Sequence, residues 1–134
     1  MTREEIYEDM KNMLGLVPEF FTHVPDATLE HDWASFKAFQ LGETAIPNKC
    51  KELMGLAIAS VMQCPYCEYF HRGAAKYFGA TEEELNEAGR FAMQTAGWSS
   101  FIASTGQSVE EFKQEFDRII EYIRQQGEQG QKAA

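Results

Sequence analysis

Apolar residues recur three and four positions apart along most of the chain, and no stretch alternates with a period of two between hairpin signals. The pattern predicts an all-α protein of about six helices. Thr2 to Glu5 reads as a capping box, a threonine answered by a glutamate three residues on, and opens a first helix with Ile6, Met10, Met13 and Leu14 on its apolar side. Gly15 ends it. Leu16 to Pro25 reads as a connector in which Val17, Phe20, Phe21 and Val24 press against the body or a neighbouring subunit. Asp26 is the expected N-cap of a second helix reaching Gln40, with Leu29, Trp33, Phe36 and Phe39 as its core face and Gly42 beyond its end. Pro47 opens a third, to Gln63, whose apolar residues cover nearly the whole circumference and predict burial on all sides.

The fourth helix is expected from Pro65 to Phe78, followed by Gly79 and Ala80. Thr81 and Glu84 cap a fifth, carrying Leu85, Ala88, Ala92 and Met93, which Gly97 and Trp98 kink or end. Ser108 and Glu111 cap the last. Its stripe is Val109, Phe112, Phe116, Ile119, Ile120 and Ile123, and a polar tail from Gly127 to Ala134 is expected to fray. Phe36, Phe39, Phe112 and Phe116 read as core, not as a cofactor box.

Composition narrows the partners. A chain of 134 residues with 44% hydrophobic content suits one globular domain, residues 1–134. The net charge of -9 comes without a basic stripe, which argues against nucleic acid and against anionic membranes. No apolar run reaches the length of about 18 residues that suggests a membrane span. The first residues lack the apolar segment of a signal peptide. The expectation is a cytoplasmic protein, where thiols stay reduced and a Cys-x-x-Cys reads as catalytic or metal-binding.

The candidate chemistry lies in the run from Cys64 to His71, Cys-Pro-Tyr-Cys-Glu-Tyr-Phe-His. Pro65 suits the first helical position, which makes Cys64 the N-cap. Cys64, Cys67 and His71 then share a helix face. A helix N-terminus favours a thiolate, and His71 lies one turn from Cys67, where it could exchange a proton. Helix position thus favours the thiolate at Cys64. Glu52 shares a face of the preceding helix with Leu56, Ala59 and Gln63, where it is either a functional carboxylate among apolar side chains or a dipole-compensating residue near solvent. Rival readings are a zinc site built from Cys64, Cys67, His71 and Glu52 or water, and a non-enzymatic oligomeric scaffold. Cys50 reads as structural packing. His23 reads as a loop residue and His31 as a solvated one.

Glu52, Cys64, Cys67 and His71 form the pattern Glu-x11-Cys-x-x-Cys-x-x-x-His, flanked by Ala74-Ala75 and by Gly79-Ala80-Thr81 running into Glu83-Glu84-Leu85. This resembles the alkylhydroperoxidase AhpD-like branch of the carboxymuconolactone decarboxylase family, most densely over residues 47–92. The resemblance implies a helical fold assembled as homotrimers or homohexamers. It implies a dithiol that reduces peroxides or disulfides through an intramolecular disulfide, without a metal or prosthetic group. An external thiol or dithiol, possibly on a protein, would supply the electrons. It implies Glu52 and His71 as a proton relay, Cys67 as the attacking thiol and Cys64 as the resolving one. Tyr66 stands where the family pattern has a histidine, which weakens the transfer of efficient alkylhydroperoxidase activity but not of dithiol chemistry. A lactone decarboxylase, the other branch, as a rule lacks the paired cysteines.

Overall fold

A computed structural model describes the backbone of residues 1–133 and the side chains of residues 1–128. Seven α-helices are present among the described residues, without a strand: α1 (Arg3–Leu14), α2 (Glu19–Thr22), α3 (Asp26–Ser35), α4 (Asn48–Met62), α5 (Pro65–Tyr77), α6 (Glu82–Thr105) and α7 (Val109–Ala133). The chain divides into two compact units, Met1–Gly89 and Arg90–Ala134, each described by itself.

In the first unit, α1 starts where the sequence places it. Thr2 Oγ1 accepts from the Glu5 amide while the Glu5 carboxylate accepts from the Thr2 amide. Ile6 and Met10 face inward and meet Phe21, Leu29 and Trp33, with Tyr7, Val17, Val24, Phe36 and Leu41 packed around them. The connector is thus partly helical. Phe21 of the short α2 is buried edge-on to Trp33 and Phe36, while Phe20 stays exposed. Pro25, not Asp26, is the N-cap of α3, and Asp26 instead pairs with Arg3, which also reaches the Val24 carbonyl.

The second helix does not run to Gln40 as a uniform α-helix. From Phe36 to Leu41 it widens into a π-helical turn. The Gly42 amide closes it on the Lys37 carbonyl at 2.8 Å. A Cβ at Gly42 would sit 2.6 Å from the Ala38 carbonyl oxygen, so only glycine fits this closure. The inserted residue rotates everything beyond it. Phe39, expected in the core, is 64% exposed, and Gln40 turns inward.

Helix α4 is likewise not buried all round. Glu52, Leu56 and Ala59 are buried, whereas Met54, Ile58, Val61 and Met62 are exposed. Leu56 packs with Ala75 of α5 and Leu85 of α6, flanked by Leu53 and Ala80, as a second small core. The Thr81–Glu84 capping box is reciprocal, as read from sequence.

In the second unit, α6 continues through Gly97 and Trp98 without a break. Ser108 and Glu111 cap α7 reciprocally. Phe112 and Phe116 stack ring on ring but are open to solvent, so they are not core in the single chain. The backbone of α7 is helical to Ala133; of the tail expected to fray, Ala134 lies outside the described residues. No helix among the described residues is long and apolar enough to cross a membrane.

The α1–α3 contact carries a charged cluster. The Asp9 carboxylate accepts from Trp33 Nε1 at 2.7 Å and from Lys37 Nζ at 2.5 Å. These bonds, the lysine's first, hold its pKa below the ordinary 3.8. A depressed carboxyl contributes stability above its unfolded pKa and loses it as pH falls through the folded one. Thermal unfolding followed from pH 7 down to pH 2 is expected to show a steeper acid loss in the parent protein than in Asp9→Asn. Equal slopes would show that the cluster contributes nothing to acid stability.

Candidate active site

Only Gln63 and Cys64 separate α4 from α5, and their backbone fixes the site. Gln63 takes a left-handed conformation, φ 57 and ψ 42. Its amide donates to the Ser60 carbonyl and the Cys64 amide to the Ala59 carbonyl, the paired bonds of a Schellman ending. Cys64 then serves a second helix. Its backbone is extended, Pro65 occupies the first turn of α5, and its sulfur accepts from the Cys67 amide at 3.3 Å. The same residue therefore closes α4 and caps α5. Neither helix can slide without moving the sulfur.

Cys64 and Cys67 form a disulfide, with Cα atoms 5.3 Å apart, inside the range of about 4.4–6.8 Å that a bridge tolerates. Both residues are only partly buried. The structure therefore holds the oxidised form of a dithiol seated on a helix N-terminus, where the unpaired amides and dipole stabilise a thiolate on reduction.

His71 lies one turn beyond Cys67 and crosses to α4. Its Nδ1 is 2.6 Å from Glu52 Oε2. Glu52 is 1% exposed, and its other oxygen accepts from Gln40 Nε2 at 2.9 Å. An ionised carboxylate can only accept, so with Glu52 ionised Nδ1 carries the proton and Nε2 is left free to take one. A buried carboxylate is costly unless its oxygens are paired. Here each has a partner. Of the two sequence readings of Glu52, the solvent-facing one is excluded by its burial.

Gly55 explains how the ring gets so close. A Cβ there would lie 2.7 Å from His71 Cγ and nearer still to Cε1 and Nδ1. Glycine inside a helix costs about 1 kcal/mol relative to alanine. Here it leaves the slot that the imidazole fills.

Cys67 and His71 line a cavity of about 310 Å³ whose other walls include Phe39, Gln40, Lys51, Met54, Ile58 and Met62. A separate depression of about 500 Å³ lies against Glu68 and Arg72 and contains neither a cysteine nor a histidine. Among the described residues, no group of three or more His, Cys, Asp or Glu side chains is placed to hold a metal ion.

All four sequence candidates thus lie on α4, α5 or the link between them: Cys64 is bonded to Cys67, Cys67 shares a cavity with His71, and His71 is bonded to Glu52. Gln40 was missed. Its sequence signal is confined to Gly42, and a π turn is not legible from apolar spacing. Cys50 is not packed in the core but exposed, and it is the free cysteine. His23 lies in the turn after α2, a connector position as expected, and His31 is exposed as expected.

Fold and junction together define a helical dithiol protein. A model of the carboxymuconolactone decarboxylase family matches residues 23–107, more than half of the sequence, and the chain belongs to that family. It is 31% identical over 62 residues to "Uncharacterized protein 4 in cox locus" of Paracoccus denitrificans, covering 46% of this chain and 56% of that one. The chain thus spans little more than half the length of that curated relative. Its fold is similar to the crystal structure of the alkylhydroperoxidase AhpD core from Rhodospirillum rubrum, with a TM-score of 0.68 and 22% identity over 81% of this chain and 82% of that one.

Gly55→Ala is expected to push His71 off Glu52 and to destabilise the fold by about 1–3 kcal/mol, the usual cost of overpacking. Gly73→Ala, on the same pair of helices with nothing within 4 Å of the added methyl, should stabilise it through helix propensity. Thermal melts of both variants, with ring-nitrogen chemical shifts of His71 in Gly55→Ala, check this. An unmoved His71 would show that the slot is not needed.

Proposed function

We propose that this protein is a thiol-dependent oxidoreductase that reduces peroxides or small disulfides with the Cys64–Cys67 dithiol. The observation that supports it best is that Cys67 shares a small cavity with His71, a base anchored on a buried carboxylate. A base held by a third group is the arrangement by which nucleophiles are activated.

With a hydroperoxide, Glu52 and Gln40 hold the imidazole so that His71 Nε2 takes the Cys67 proton, directly or through water. The thiolate attacks the distal peroxide oxygen, and the O–O bond breaks. The departing alkoxide takes the proton back from His71 and leaves as the alcohol. Cys67 is then a sulfenic acid. Cys64 attacks that sulfur, water leaves, and the Cys64–Cys67 disulfide forms. Two electrons and two protons from an external dithiol restore the thiols. With a disulfide substrate, Cys67 forms a mixed disulfide that Cys64 resolves, releasing two thiols. Tyr66 is 86% exposed beside the disulfide and serves as surface rather than as a base.

The same proposal includes a homotrimer or homohexamer. The open apolar stripe of α7, with Phe116, Ile119 and Ile120 each about half exposed in the single chain, supports it.

Reduced protein treated with stoichiometric alkyl hydroperoxide should lose two thiols per chain and yield one Cys64–Cys67 peptide, with Cys50 unmodified. Cys64→Ser should stop at a sulfenic acid on Cys67 that a dimedone-type reagent captures. His71→Ala and Glu52→Gln should each slow disulfide formation by roughly 10²–10⁴-fold, the usual worth of positioned acid–base catalysis. Capture at Cys64 in Cys67→Ser, with none at Cys67 in Cys64→Ser, would reverse the two cysteines' roles. Unchanged rates in both relay variants would overturn the relay.

A further inference from the structure

The cavity beside the dithiol has a polar feature that the redox chemistry does not use. Lys51, half buried in the first turn of α4, lines it together with Cys67 and His71. A lysine there opposes the helix dipole, which favours anions at that end. It is held by the carbonyls of Phe39 at 2.8 Å and Gly42 at 2.7 Å, where the π turn ends, and its ammonium lies 5.4 Å from the centre of the Phe39 ring. Those carbonyls take two of its three N–H donors. Lys37, Lys49 and Lys76 each have a carboxylate partner, whereas Lys51 has none among the described residues. In a chain of net charge -9, a fixed ammonium with a donor to spare is an anion site in waiting.

The remaining wall is apolar. Phe39, Ile46, Met54, Ile58 and Met62 line the cavity and are each exposed by 41% or more. Small-molecule sites have this composition: mostly apolar, with a few placed polar groups that fix orientation. A volume of about 310 Å³ is at the low end for such sites, so the occupant is small.

We infer that the cavity takes a medium-chain carboxylic acid, its carboxylate on Lys51 and its chain along Met54, Ile58 and Met62. On the dithiol reading above, on which the reactive part of this inference rests, the substrate is a hydroperoxide of such an acid, its peroxide group at Cys67 and His71. It is reduced to the hydroxy acid and water by the two-electron sequence already written. Lys51 is then the residue that sets specificity, and Phe39 and Gly42 position it.

Binding is measured with octanoate and octanol, neither of which can oxidise the dithiol, by calorimetry and by the methyl resonances of the six methionines. Met54 and Met62 should shift with octanoate while Met10, sealed in the other core, should not. The parent protein should prefer octanoate by tenfold or more, the worth of a charged hydrogen bond. Lys51→Gln should abolish the preference and Lys51→Arg should restore most of it. Turnover should mirror this. The ratio of kcat/KM for ω-hydroperoxyoctanoate to that for octyl hydroperoxide should fall in Lys51→Gln, mainly through KM.

Equal binding of acid and alcohol by the parent protein, or absence of both, overturns the inference whatever the variants do. So does a preference that survives Lys51→Gln, or shifts confined to methionines outside the cavity. Octanoate binding at Met54 and Met62 without hydroperoxide turnover would uphold the anion site and overturn the peroxidase reading alone.

Discussion

The 2.6 Å bond between His71 and Glu52 is the contact on which the junction depends. It joins α4 to α5 through a fully buried carboxylate and a partly buried imidazole. Removing His71 leaves an oxygen of the buried Glu52 unpaired, at a cost of about 1–3 kcal/mol, more if the group is charged. Gly55 leaves room for the ring, and Gln40 occupies the second carboxylate oxygen. The π turn that delivers Gln40 is in turn closed by Gly42. Bulges of this kind are rare in helices and frequent at functional sites. A chain of small backbone choices therefore ends at one imidazole nitrogen, the one that the proposed reading gives to a neighbouring thiol.

The cysteines are fixed by a different economy. A two-residue connection lets Cys64 end one helix and begin the next. Its sulfur is held by backbone geometry, independently of side-chain packing. The pair sits only partly buried, which suits the exchange with substrate and reductant proposed above. Base and dithiol meet at a junction whose inner side is packed by Leu56, Ala75 and Leu85 and whose outer side is open and apolar. A packed inner face and an accessible outer one suit the redox role proposed above.

Exposed apolar side chains mark the outer face of α4 and much of α6 and α7. In each unit taken by itself, this many exposed large apolar side chains is a feature that calls for a partner or a ligand. Near the dithiol it has a use within a single chain, because it walls the cavity. On α7 the stripe stays about half exposed in the single chain.

Local chemistry was legible in the sequence. The capping boxes at Thr2, Thr81 and Ser108, the proline that opens α5 and the helix-face spacing of Cys64, Cys67 and His71 act over three or four residues, and spacing encodes such contacts directly. The all-α class followed from the same short-range periodicity, and the family match agrees with the resemblance carried by Glu52, Cys64, Cys67 and His71. What the tertiary structure decided was burial and register. Apolar spacing cannot tell a helix buried on all sides from one with an open apolar face, so Met54, Ile58 and Met62 had to be seen in place. It cannot register one inserted residue, so the π turn, the exposure of Phe39 and the inward turn of Gln40 came only from the fold. Nor can it pair a lysine with carbonyls nine and twelve residues away, as Lys51 pairs with Gly42 and Phe39. Those contacts depend on where two helices cross, and a one-dimensional pattern holds no such information.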